Sequence, residues 1–173
     1  MTDTGPLASV VVAVHRDQRV RRLLDSLAHQ TLPAHDCEII VVENGSADLA
    51  GIEASHPNVR YAHLPAANSA AARNTGLGMA RGQYLLSTDA DCVARPDWAE
   101  KLTTTLAARA TDGVAAAGGS ITKHEPGTWA QRHAITIVNG QQRLLPARVT
   151  DAVRGRGECR VCHRQASRGR RVR

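Results

Sequence analysis

Short, continuously apolar runs alternate with stretches whose apolar residues recur at helical spacing, and this alternation constrains the chain more than any other feature. Ser9–Val14 and Glu38–Glu43 carry apolar side chains at successive positions, so both faces of each strand must be covered. Residues 18–30 set Val20, Leu23, Leu24 and Leu27 on one side and arginines on the other, and Pro33 stops that helix. A short helix over Leu49–Ser55 ends at Pro57, and Val59–Leu64 is a third strand. Ser69–Met79 is alanine-rich and helix-forming, with Gly82 a stop signal beyond it. Tyr84–Thr88 is a fourth strand, Pro96 opens a helix to about Arg109, and Val114–Ile121 reads as a fifth strand. Four such alternations with short joints predict an α/β fold, an open and mostly parallel sheet flanked by helices. Beyond it, Ala130–Leu145 has room for one helix around Ile135.

The charge divides the chain in two. Residues 1–150 carry 14 basic and 14 acidic side chains, so that body is neutral. The net charge of +6 resides in residues 151–173, where eight arginines face Asp151 and Glu158. That segment has no aromatic residue and few aliphatic ones, and is read as a disordered tail. No apolar run is long enough to span a bilayer, and Thr2–Pro6 lacks the basic start of a secretory signal. Four cysteines without a secretory context read as reduced thiols, and the expected location is cytoplasmic.

In open α/β sheets, ligands bind beyond the carboxyl ends of the strands. The residues that follow each strand form a coherent polar set: Val14-His15-Arg16-Asp17, Glu43-Asn44-Gly45-Ser46, Asn68 with Arg73, and Thr88-Asp89-Ala90-Asp91. Asp89-Ala90-Asp91 is the sharpest of these. Two carboxylates one residue apart at a strand end can face one crevice. Such pairs suit Mg2+ or Mn2+ held together with substrate phosphates. Each residue also has a plainer reading. Arg73 can form a helix-surface ion pair, Glu43 can be an ordinary strand-end acid, Asn44-Gly45 a turn, Asn68 a helix cap, and Asp89 and Asp91 a solvated turn.

Taken in order, Ser9–Val14, Glu38–Asp48 (EIIVVENGSAD), Ala70–Gly76 with Ala80-Arg81-Gly82, and Tyr84–Asp91 resemble the successive motifs of family 2 glycosyltransferases. The resemblance runs from residue 8 to about 125. It implies a GT-A fold over residues 1–150, a nucleotide-diphosphate sugar donor of UDP or GDP type, and a divalent cation. It also implies transfer to an acceptor hydroxyl with inversion at the anomeric carbon. Carried over residue by residue, Val14, His15 and Asn44 line the nucleotide pocket and Glu43 stands where an acid contacts the nucleobase. Arg73 approaches the donor, Asp89 contacts the nucleoside and supports the metal, and Asp91 holds the metal and diphosphate. Two departures stand out. Ala13-Val14-His15-Arg16 replaces a more usual Pro-Thr-Tyr-Asn, and Cys92 replaces an acid.

An inverting transfer needs a general base near the acceptor hydroxyl. Glu125, Asp112 and Asp151 are the candidate acids downstream of Asp91, and none matches a family motif, so no base is assigned. The acceptor half is expected to be cut short, and the composition shift near Thr150 reads as an out-of-frame ending. A catalytically inactive, truncated nucleotide-binding domain is therefore the alternative reading. In the tail, Cys159-Arg160-Val161-Cys162-His163 matches a c-type haem attachment string and half of a zinc site. Neither has the surrounding ligands or pocket that it needs. The arginines offer a weaker third reading, nucleic-acid binding by charge, without aromatic residues to stack on bases.

Overall fold

A computed structural model describes residues 5–112, 114–119, 145–146 and 160–163. β1 (Ala8–Val14) is an interior strand. It pairs in parallel with β2 (Cys37–Asn44), from Ala8 opposite Cys37 to Val14 opposite Glu43. On its other side it pairs in parallel with β4 (Tyr84–Ser87). β3 (Val59–Leu64) continues the parallel set beyond β2. Past β4 the direction reverses. β7 (Arg160–His163) runs antiparallel between β4 and β5 (Val114–Gly118), and β6 (Leu145–Pro146) closes the sheet. The order is β3-β2-β1-β4-β7-β5-β6.

The unbroken apolar character of β1 and β2 is explained by two cores. Val10, Val12, Ile39, Val41 and Leu86 point to one face, under α1 (Val20–Ala28), α2 (Ile52–Ser55) and α4 (Trp98–Ala108). Val11, Ile40 and Val42 point to the other, under α3 (Ser69–Met79). Leu23 and Leu24 of α1 are almost wholly buried, each contributing about 2 kcal/mol through lost apolar surface. Small residues on α3 serve packing as well as helix propensity. Ala72 and Gly76 face the sheet, and a Cβ at Gly76 would fall on Val11 Cγ1.

A half-buried polar knot secures the amino end of the sheet. Glu38 Oε1 accepts from Ser9 Oγ at 2.5 Å and Arg81 N at 2.6 Å, and Oε2 accepts from Arg60 Nη1 at 2.9 Å. Gly82 N donates to Ser9 Oγ at 2.7 Å, which ties the end of the α3 connection to β1.

The strand–helix alternation read from sequence matches this architecture. Pro96 precedes α4 rather than starting it, and its carbonyl accepts from Thr31 N at 2.8 Å, anchoring the connection after α1. The 151–173 segment, read as disordered, contributes β7 to the sheet. Backbone pairing with β4 and β5 supplies a reason that side-chain pattern does not reveal, since open strand edges hold unpaired donors and acceptors. The remaining residues of that segment, the helix expected around Ile135, Trp129, Glu125 and Asp151 lie outside the described residues. Among the described residues, no helix is long and apolar enough to cross a membrane.

Candidate functional site

The carboxyl ends of β1, β2, β3 and β4 open on one side of the sheet, and the polar residues that follow them meet there. The end of β1 is stitched to the end of β2. Asn44 is buried and donates from Nδ2 to the Val14 carbonyl at 2.7 Å. His15 Nδ1 lies 2.5 Å from the Asn44 carbonyl. A carbonyl only accepts, so Nδ1 is the donor of this pair. Gly45 follows with φ of +75°, and a Cβ there would lie 2.8 Å from Ala67 Cβ and 3.1 Å from His15 Cε1. The turn therefore needs glycine for both backbone conformation and space.

Val14 itself faces inward, 1% exposed in the core under α1, and meets the site only through its carbonyl. Glu43 also faces inward. It shares the side of β2 that carries Ile39 and Val41, and it is fully buried. Its Oε1 accepts from Ser46 Oγ at 2.6 Å and Asp48 N at 2.9 Å. Its Oε2 accepts from Tyr61 Oη at 2.7 Å and Leu49 N at 3.0 Å. Burial alone would raise the carboxyl's pKa, but these four donors outweigh it and leave the value below normal. Both oxygens are thus engaged in folding the loop after β2, whereas the resemblance puts an acid at this position against a nucleobase.

Asp89 and Asp91 stand at the end of β4, partly exposed, with the Cys92 N–H closing the turn onto the Asp89 carbonyl at 3.1 Å. Each carboxylate meets an arginine from a different element. Arg73, one turn into α3, places Nη2 3.4 Å from Asp89 Oδ1. Arg19, just before α1, places Nη2 3.6 Å from Asp91 Oδ2. Asn68 serves as the α3 cap, its Oδ1 accepting from Ala70 N and Ala71 N at 3.0 Å. Cys92 is half-buried and burial pushes its thiol pKa up, as it pushes Cys37 to about 11, so both are poor thiolates at neutral pH.

Residue type and position brought Arg73, Asp89 and Asp91 to the same crevice. Sequence reasoning missed Arg19 as a partner of Asp91, because only the packing of α1 sets that distance. Asp17, read from sequence only as part of the polar set after β1, accepts from Arg19 N at 3.0 Å through its Oδ1. Tyr61 carried no signal beyond being a large ring on a strand. Among the described residues, no three His, Cys, Asp or Glu side chains are grouped to hold a metal. The two-carboxylate turn fits Mg2+ or Mn2+ when diphosphate and water supply the other ligands. The cavity of about 420 Å3 beside Leu24, Leu32, Pro33 and Ile39 lies at the opposite end of the sheet.

The sequence profile described as glycosyl transferase family 2 matches residues 9–171. Glycosyltransferase AglE of Haloferax volcanii is 32% identical over 142 residues, covering 77% of this chain and 46% of that protein. The uncharacterized glycosyltransferase YibD of Escherichia coli is 33% identical over 109 residues, covering 60% of this chain and 31% of that protein. The chain thus spans less than half the length of these relatives. A mannosyltransferase from Pyrobaculum calidifontis, solved with GDP-Man and Mn2+, superposes with a TM-score of 0.53 at 25% identity. That match covers 65% of this chain and 34% of the mannosyltransferase. TarS 1–349 of S. aureus, solved with UDP-GlcNAc, shares the fold with a TM-score of 0.55 at 22% identity, over 70% of this chain and 37% of TarS.

Proposed function

The chain belongs to glycosyl transferase family 2, and from that premise we propose that its crevice binds a nucleotide-diphosphate sugar for transfer to an acceptor hydroxyl. One observation carries this reading: Asp89 and Asp91 sit at the carboxyl end of β4, each beside an arginine from another element. That is a charge arrangement suited to a diphosphate and a divalent ion together. Bound Mg2+ or Mn2+ would neutralise the departing diphosphate. Asp91 and Asp89 are the residues that would hold the ion. Arg73 adds a cation on the α3 side of the crevice, where charge develops as the nucleotide leaves. His15, donating to the Asn44 carbonyl, stands beside the pocket that the nucleoside would enter. Glu43 serves this reading by fixing the loop that bears Asn44 and Gly45.

The acceptor hydroxyl would attack the anomeric carbon from the face opposite the diphosphate, inverting it. The chain's own base for that step is not Asp112. This residue follows α4 at the amino end of the sheet, away from the crevice, beside Arg109 at 3.3 Å. UDP and GDP sugars are both proposed donors, and the solved mannosyltransferase with GDP-Man supports the second.

A thermal melt of the full chain with UDP or GDP, each with and without Mn2+, tests the proposal. Ligand at a hundred times its dissociation constant adds about 2.7 kcal/mol, a rise of roughly 5–10 °C for a domain of this size. A metal-dependent rise with either nucleotide, lost in Asp91→Ala, is the expected result. A cooperative melt unmoved by both nucleotides would overturn it. Turnover of a nucleotide sugar then separates an active transferase from a silent nucleotide-binding domain.

A further inference from the structure

Arg19 is held in place rather than left to swing. Asp17 accepts from its Nε at 2.9 Å (Oδ1) and 3.2 Å (Oδ2), from its Nη2 at 2.7 Å, and from its backbone N–H at 3.0 Å. The chain reaches this arrangement through Arg16, whose φ of +50° turns β1 sharply into the Asp17 loop. The strained turn, the bidentate pair and the start of α1 together fix a guanidinium at the rim of the crevice. Its Nη2 lies 3.6 Å from Asp91 Oδ2.

A fixed cation at that place has two consequences. Without a diphosphate, it is the counter-ion of Asp91 and repels a divalent cation approaching the same carboxylate. Once a diphosphate enters, its oxygens offer the guanidinium a charged acceptor, and Asp91 is released toward the ion. The exchange costs little, because an exposed pair at this distance contributes little to stability. We infer that Arg19 is a diphosphate-binding residue that makes metal binding depend on donor binding, with Asp17 as its positioning residue. The inference rests on the donor-site reading above. It adds a residue to that site and an order to its loading.

Titrations of the full chain with Mn2+ alone, with UDP or GDP alone, with each nucleotide plus Mn2+, and with uridine or guanosine test it. Wild type should bind Mn2+ weakly alone and about tenfold or more tightly with the nucleotide, and the coupling must be reciprocal. Arg19→Gln should bind Mn2+ severalfold more tightly without nucleotide and bind the nucleoside diphosphate about tenfold more weakly. Nucleoside binding and melting temperature should stay unchanged. Asp17→Asn keeps the cation but frees it, so it should show the same changes at smaller size. If wild type binds nucleotide with Mn2+ and Arg19→Gln changes neither affinity, the inference fails while the donor site stands. Equal losses of nucleoside and nucleotide binding in Arg19→Gln would mark a structural role and also overturn it. If wild type binds neither nucleotide, both readings fail.

Discussion

Tyr61 donates its hydroxyl to Glu43 Oε2 at 2.7 Å, joining β3 to the acid one residue before the end of β2. The pair explains why an acid at a strand end can be fully buried. The loop after β2 wraps back and brings Ser46, Asp48 and Leu49 onto the same carboxylate. The cost of burying the charge is offset by four donors, three of them in one short loop.

Removing one of these donors should be measurable. Tyr61→Phe is expected to lower stability by about 1.5–3 kcal/mol, the usual contribution of a hydrogen bond to a charged acceptor. Glu43→Gln should cost more, about 2–4 kcal/mol, because an amide turns a donor toward N–H groups that need an acceptor. Urea unfolding of the two variants and wild type checks both values. A neutral Glu43→Gln would mean that the loop does not depend on the carboxylate.

The acid dependence of stability follows from the same groups. Glu43 and Glu38 both titrate below the ordinary value of 4.5. In each, burial pushes the pKa up and hydrogen bonds more than offset it. A carboxyl whose folded value is depressed stabilises the fold above its unfolded value and loses that contribution as pH falls through the folded value. Wild type should therefore lose stability progressively below about pH 4.5. Glu43→Gln, with no carboxyl to protonate, should show a shallower loss over that window. Melts from pH 6 to pH 3 distinguish the two slopes.

Gly82 sits where the α3 connection passes over β1. A Cβ there would lie 2.6 Å from both the Ala8 carbonyl carbon and the Ser9 nitrogen, which are backbone atoms that cannot turn aside. Gly82→Ala should cost about 3 kcal/mol, at the upper end of overpacking penalties. Gly78→Ala, where nothing lies within 4 Å, should be neutral or stabilising and serves as the control in the same chemical melt.

Asp91→Ala should abolish the Mn2+-dependent stabilisation by nucleotide. Asp89→Ala should weaken it about tenfold, since its partner Arg73 is left as an unpaired cation that still attracts phosphate. Nucleotide titrations with and without Mn2+ measure both effects. Unchanged affinity in both variants would place the donor elsewhere.

Deleting residues 151–173 removes β7 and leaves the facing edges of β4 and β5 unpaired. Exposed edges template aggregation, so the shortened chain should run as oligomers or precipitate at concentrations where the full chain does not. Size-exclusion chromatography reads this directly. A monomeric, fully stable deletion product would show that the segment contributes charge alone.

Much of the sheet was legible because the controlling signal is local. Val10 through Val12 and Ile39 through Val42 have apolar neighbours on both sides of the chain, which only a strand covered on both faces satisfies. The place of the site was legible for a related reason. Chain direction in a parallel sheet puts every strand's carboxyl end on one side, so Asp89, Arg73 and His15 had to converge. β7 was not legible. The four residues Arg160–His163 show no period of their own, and their partners lie about 75 and 45 positions earlier in the chain.

The sequence by itself determined the family, the alternation of parallel strands with helices and the side of the sheet where the acids gather. The family follows from the resemblance of ordered motifs, and the rest from periodicity and from which residue types stand at strand ends. Tertiary structure alone decided what those acids do. Glu43 turned inward because its parity on β2 matches Val41 and because the following loop closes over it with four donors. Asp91 acquired Arg19 because α1 packs beside β4's end at a distance no spacing encodes. Direction and pattern are properties of the chain, whereas the partner of a charge is a property of packing.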